Sequence, residues 1–153
     1  MITLKFKRLG HSKGLPLPAY ETAGAAGLDL RAAVPEGEPM TLMPGERALI
    51  PTGLAIELPP RHEGQVRPRS GLALKFGISL INAPGTIDED YRGEIKIPLV
   101  NHGQEPFEIT RGMRVAQMIV APIVQVTIEE VETLNESLRG SDGFGSTGSD
   151  KSR

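Results

Sequence analysis

The sequence predicts an all-β fold built from many short strands, and three observations carry that expectation. Its 153 residues include 18 glycines and 13 prolines, which interrupt the chain too often for long helices. Between these breaks apolar residues alternate with polar ones, the period of a half-buried strand. A chain of this length also fits one domain with a core of its own, needing no disulfide or metal staple.

The elements follow in order. ITLKFK (2–7) alternates Ile2, Leu4 and Phe6 with Thr3, Lys5 and Lys7 and opens the sheet. LDLRA (28–32), RALI (47–50), GLAIELP (53–59), GQVRP (64–68), GISLIN (77–82), GEIKIPLVN (93–101), FEIT (107–110) and VAQMIVAPIVQVTI (115–128) read the same way, punctuated by Gly or Pro. Nine or more strands at this spacing suit a sandwich, a jelly roll or a closed barrel. RSGLALKFG (69–77) differs: Ser70 is placed to cap a short helix whose Leu72, Leu74 and Phe76 partly face the core, with Gly77 ending it. From about residue 131 the aliphatic content falls away, and VETLNESLRGSDGFGSTGSDKSR cannot pack a core of its own. The expected division is a domain over 1–130 and a flexible C-terminal arm over 131–153, whose 23 residues, fully extended, span about 75 Å.

Composition narrows the function. A net charge of −2 gives no basic field for a nucleic-acid polymer, though a local cluster can still hold a small anion. With no cysteine there is no thiol metal site, and His11, His62 and His102 lack ligand-like spacing. The N-terminus has no apolar leader, and no window approaches the roughly 18 apolar residues of a membrane span. A cytoplasmic protein with no membrane partner is the expectation.

Five segments carry chemistry. GTIDEDYRG (85–93), taken alone, is well explained as a polar hairpin tip. With Asn82 just before it, the same hairpin can also read a planar base through its amide and backbone groups, aim Asp88 at a water, and lay the Tyr91 ring against a sugar. PRSGLA (68–73) sets Arg69 and Ser70 at a helix start, where backbone N–H groups favour an anion, although from this segment alone a surface charge and an ordinary cap are the better explanation. In GAAGLDL (24–30), Asp29 between leucines reads as a buried acid holding an arginine. In RGMRVAQM (111–118), Gln117 can reach a phosphate oxygen or make a cross-strand amide contact. RGSDGFGSTG (139–148) is either a Gly/Ser linker or a segment that wraps phosphates while Phe144 stacks on a base.

AGLDL (26–30), PRSGLA (68–73), GTIDEDYRG (85–93), RGMRVAQ (111–117) and RGSDGFGSTG (139–148), in this order and spacing, closely resemble the five motifs of the homotrimeric dUTP diphosphatases, the dUTPases. The resemblance implies a jelly-roll-like β barrel, a homotrimer with active sites shared between subunits, and a C-terminal arm that closes over them. It implies hydrolysis of dUTP to dUMP and pyrophosphate with Mg²⁺, held by the substrate phosphates and water with no direct protein ligand. Carried over residue by residue, Asp88 would activate the attacking water, and Tyr91 would stack on deoxyribose and exclude a 2′-OH. Asn82 and the backbone of Gly85, Thr86 and Ile87 would read uracil. Arg69, Ser70, Gly71 and Gln117 would hold phosphates, and Arg139, Phe144, Gly145, Ser146 and Thr147 would come from the closing arm. Asp29 and Arg114 would be outer-shell or structural. One departure stands out: Asp142 occupies a position where the family usually has glycine, and a carboxylate there repels a triphosphate unless it points away. Two rivals share the fold. A dCTP deaminase would need a glutamate where this chain has Pro98, since Glu94 lies only at the hairpin edge, and a silent trimeric scaffold would use its arm to bind a protein.

Overall fold

In the computed structural model the described residues are 2–138, 140 and 141. They form ten strands and a single α-helix: β1 Lys5–Arg8, β2 Leu28–Arg31, β3 Met40–Leu42, β4 Arg47–Glu57, β5 His62–Arg67, α1 Ser70–Phe76, β6 Ile78–Leu80, β7 Gly85–Ile87, β8 Glu94–Asn101, β9 Phe107–Ile109 and β10 Arg114–Pro122. One sheet runs β1-β4-β8-β6, a second β2-β10-β5-β7, and β3 pairs with β9. Every ladder is antiparallel. The two larger sheets share one apolar core in a jelly-roll-like arrangement. Leu28, Val66 and Met118 from one sheet meet Ile50, Ile97 and Leu99 from the other, all of them buried. Each such side chain contributes about 1.5–3 kcal/mol by leaving water.

The alternation in the sequence therefore marks real strands, with instructive departures. RALI and GLAIELP are one eleven-residue strand, because Gly53, at φ +64°, carries a bulge in β4 where the pairing with β8 shifts register. β3 is too short to show a period, and its Met40–Leu42 went unpredicted. β1 starts at Lys5, leaving Ile2 exposed. β10 stops at Pro122, and Val124, Val126 and Ile128 are exposed despite their alternation, since pairing needs an edge as well as a pattern.

Two expectations need correction. Ser70 is not the helix cap but the first helical residue: Arg69 is the N-cap, and no side chain caps that end. Nor does α1 bury its apolar residues; Leu72 is half-buried, but Leu74 is 89% exposed and Phe76 leans on Phe107 at a centroid distance of 5.3 Å. Gly77, left-handed at φ +69°, ends the helix as predicted. The second correction concerns GTIDEDYRG. It is not the tip of a hairpin between two neighbouring strands: β6 and β8 do pair, but β7 leaves their sheet and pairs with β5 in the other. The segment is an excursion that ties the two sheets together at one end.

At the outer edge, Lys5 Nζ lies 2.5 Å from Glu57 Oε1 and fastens β1 to β4. That hydrogen bond, then the Lys5 charge, and more weakly the Arg92 charge hold the Glu57 carboxyl below its ordinary value.

Candidate active site

The excursion from β6 through β7 to β8 frames a cleft of about 330 Å³. Asn82, Gly85, Thr86, Ile87, Asp88 and Tyr91 all line it, so the first group of site residues read from the sequence is brought together. Leu49, Val66, Leu80 and Pro98 supply its apolar wall. Asn82 closes the turn after β6, and Gly85 makes room for it: a Cβ at 85 would stand 3.0 Å from Asn82 Nδ2. Asp88 follows β7 and is exposed, and its carbonyl accepts the Tyr91 N–H at 3.1 Å, a turn that brings carboxylate and ring to the same end of the cleft. The Tyr91 ring lies over Gly93, where a Cβ would be 2.6 Å from the ring Cζ. Its hydroxyl donates to the Glu94 carbonyl at 2.9 Å.

A second hollow, about 440 Å³, gathers Arg69, Ser70, Gly71, Gln117, Asp29 and Arg114 with Glu21 and Gly27. Asp29 is the acid that holds arginines, as its sequence context suggested. Its Oδ1 lies 3.1 Å from Arg69 Nε and its Oδ2 3.1 Å from Arg114 Nη1, with the side chain 13% exposed. Arg69 Nη1 also donates to the Arg114 carbonyl at 3.2 Å, and Arg114 reaches Glu21 at 3.3 Å. The Gln117 amide donates to the Pro68 carbonyl at 2.9 Å and packs where Gly27 has no Cβ. The Gln117 amide nitrogen carries a second N–H, and the first-turn N–H groups at Ser70 and Gly71 have no partner inside the helix.

The two hollows have no lining residue in common. Val66 and Arg67 are neighbours on β5, so their side chains point to opposite faces of the sheet. Val66 is buried and lines the cleft, whereas Arg67 stands opposite Gln117 of the hollow. Leu49, Lys96 and Pro98 line the cleft from the β1-β4-β8-β6 sheet, whereas Asp29 and Gln117 of β2 and β10 line the hollow in the other sheet, so within one chain the base-and-water group and the phosphate group belong to separate hollows.

Several contributors lay outside the sequence reading. Lys96 of β8 lines the cleft and Glu21 completes the hollow, while Glu94 and Pro98, weighed in the sequence only for the deaminase rival, line the cleft as well. Glu89 Oε2 accepts the Arg61 N–H at 2.6 Å, tying the Asp88 turn to a residue at φ +60°. Gly93 stood inside a quoted motif, but its reason, clearance for the Tyr91 ring, needed coordinates. Arg139, Phe144, Gly145, Ser146 and Thr147, together with Asp142, lie outside the described residues. Among the described residues, no three His, Asp or Glu side chains gather as a metal-ligand set, and no helix is long and apolar enough to cross a membrane.

The family model for dUTPase matches residues 13–148. The chain belongs to the dUTPase family. Relatives agree along nearly the full length. A deoxyuridine 5'-triphosphate nucleotidohydrolase of Rhizobium meliloti is 61% identical over 145 residues, covering 95% of this chain and 91% of that protein. One from Rhizobium rhizogenes is 59% identical over 146 residues, covering 95% and 94%. Among solved structures, a mutant Staphylococcus bacteriophage 80alpha dUTPase with dUpNHpp superposes with a TM-score of 0.84 at 28% identity, covering 95% of this chain and 98% of that one. The jelly-roll-like β fold is thus shared with solved dUTPase structures.

Proposed function

We propose that this dUTPase-family chain hydrolyses dUTP to dUMP and pyrophosphate in the cytoplasm, at sites completed by joining copies into a homotrimer. The observation that carries the shared site is the separation of the two hollows. The cleft and the hollow share no lining residue, so a nucleotide whose base and sugar sit in the cleft would meet Arg69 and Gln117 of another copy rather than of its own chain. A neighbouring copy would supply them, and the family membership and the dUpNHpp-bound 80alpha enzyme support the choice of substrate.

In this reading the Asn82 amide and the backbone of Gly85, Thr86 and Ile87 hydrogen-bond the uracil edge, and the Tyr91 ring covers the deoxyribose where a 2′-OH would need room. Asp88 orients a water and takes its proton as the oxygen attacks the triphosphate. The bond between the α and β phosphates then breaks and pyrophosphate leaves. Arg69, Gln117 and the N–H groups of Ser70 and Gly71 neutralise and orient the phosphates, and such chemistry depends on positioning and charge more than on a protein nucleophile. Asp29 and Arg114 act one step back, holding Arg69 in place. Both acids of the phosphate hollow, Asp29 and Glu21, are engaged by arginines, which suits an anion with its own metal better than a protein-bound cation. Mg²⁺ would come with the triphosphate and water, and would supply further charge neutralisation. The arm over 131–153, with Arg139, Phe144, Gly145, Ser146 and Thr147, would close over the bound nucleotide and exclude water. The deaminase reading loses ground because Pro98, where it needs a carboxylate, lines the cleft itself.

The test is pyrophosphate release from dUTP, dTTP, dCTP and UTP, each with Mg²⁺ and with a chelator. Mg²⁺-dependent release from dUTP alone is expected; ammonia from dCTP, or binding without turnover, would refute the proposal.

A further inference from the structure

Tyr91 rests on a support that none of the five motifs contains in full. Its hydroxyl is held by the main-chain carbonyl of Glu94, and Glu94 in turn is held by its side chain, which is 13% exposed. Glu94 Oε1 lies 2.6 Å from His11 Nε2 and accepts the Gly53 N–H at 2.8 Å, while Oε2 lies 3.8 Å from Lys96 Nζ. Gly53 is the bulge of β4, and its carbonyl accepts the Leu9 N–H at 2.8 Å and the Ser12 hydroxyl at 2.7 Å. The N-terminal turn Gly10–Ser12, the β4 bulge and the start of β8 are therefore joined at one carboxylate, that of the residue whose carbonyl holds the Tyr91 hydroxyl. A largely buried carboxylate is costly unless paired, and here every partner comes from a different element. A strand start needs no such group, since a threonine or valine would serve.

The geometry points to Glu94 as a positioning residue for nucleotide selection, with His11 as its distant clamp: the junction sets how closely Tyr91 approaches the sugar and so how strongly a ribonucleotide is rejected. This rests on Tyr91 being the sugar contact proposed above. The measurement is kcat/KM for dUTP over that for UTP in the full chain, for Glu94→Ala, Glu94→Gln, His11→Ala, His11→Gln and Tyr91→Ala. Loss of one charge-assisted hydrogen bond is expected to lower the ratio about tenfold in Glu94→Ala and His11→Ala, mostly through KM. His11→Gln, which keeps a donor near Nε2, is expected to recover most of it. A structural readout runs beside the kinetics. The chain has two tyrosines and no tryptophan, so in a Tyr20→Phe background the fluorescence reports Tyr91 alone, and it should change in both alanine variants. Should Glu94→Ala fail to fold, His11→Ala decides, because the His11 side chain is 44% exposed and fills no core. Relaxed selectivity in Tyr91→Ala with unchanged selectivity and fluorescence in the Glu94 and His11 variants would overturn the inference while sparing the sugar contact. Unchanged selectivity in Tyr91→Ala would overturn both.

Discussion

Asp29 gives one carboxylate oxygen to each of two arginines, and Asp88 is exposed at the mouth of a cleft. These two acids, alike in the sequence, have opposite tasks. For Asp88→Asn the expected result is a fall in kcat of about a hundred- to ten-thousandfold, the range of general-base catalysis, with a nonhydrolysable dUTP analogue still bound in a titration. Asp29→Ala should act differently: with Arg69 released, KM for dUTP rises about tenfold and kcat changes less, as initial-rate kinetics would show. The contiguous residues of the cleft, from Asn82 to Tyr91, could be read from the chain because chemistry and turn geometry lie within ten positions. Glu94 could not, since its carboxylate meets His11 across 83 residues and Gly53 across 41, and no local pattern reports such pairings.

At the scale of elements, periodicity reported strands faithfully and pairing poorly. GISLIN and GEIKIPLVN do pair, yet the acidic segment between them leaves for the other sheet, and that crossing is what opens the cleft. Alternation also continued past Pro122 without forming a strand, because the period describes a face and says nothing of a neighbour. The helix failed in the other direction: Leu74 and Phe76 suggested a buried face, but α1 lies on the surface, held by Leu72 against the core, by Phe76 on Phe107 and by the Gly77 C-cap. Two outcomes belong here. Ile97→Ala, in the central β8 and fully buried, should cost about 2–5 kcal/mol in denaturant unfolding. Truncation after Leu138 leaves every residue of the described core in place, so the unfolding midpoint should hold while dUTP turnover drops sharply; a fully active truncated chain would remove the arm from the mechanism.

For the whole molecule, the proposed sharing of sites requires each cleft to meet a neighbour's hollow, and a closed ring of copies is the simplest assembly in which every cleft finds one. Light scattering should then give three times the mass of one chain. The most direct measurement mixes two impaired variants. Asp88→Asn spoils the cleft and Arg69→Ala spoils the hollow, so each alone should release pyrophosphate from dUTP far more slowly than the wild-type chain. Unfolded together in equal amounts and refolded, they should recover about a quarter of wild-type activity if sites are shared, because a random ring would pair an intact cleft with a neighbour's intact hollow at about that frequency. A mixture as inactive as its parents, from variants that each refold and assemble, would mean that both halves of the site come from one chain and would contradict the account.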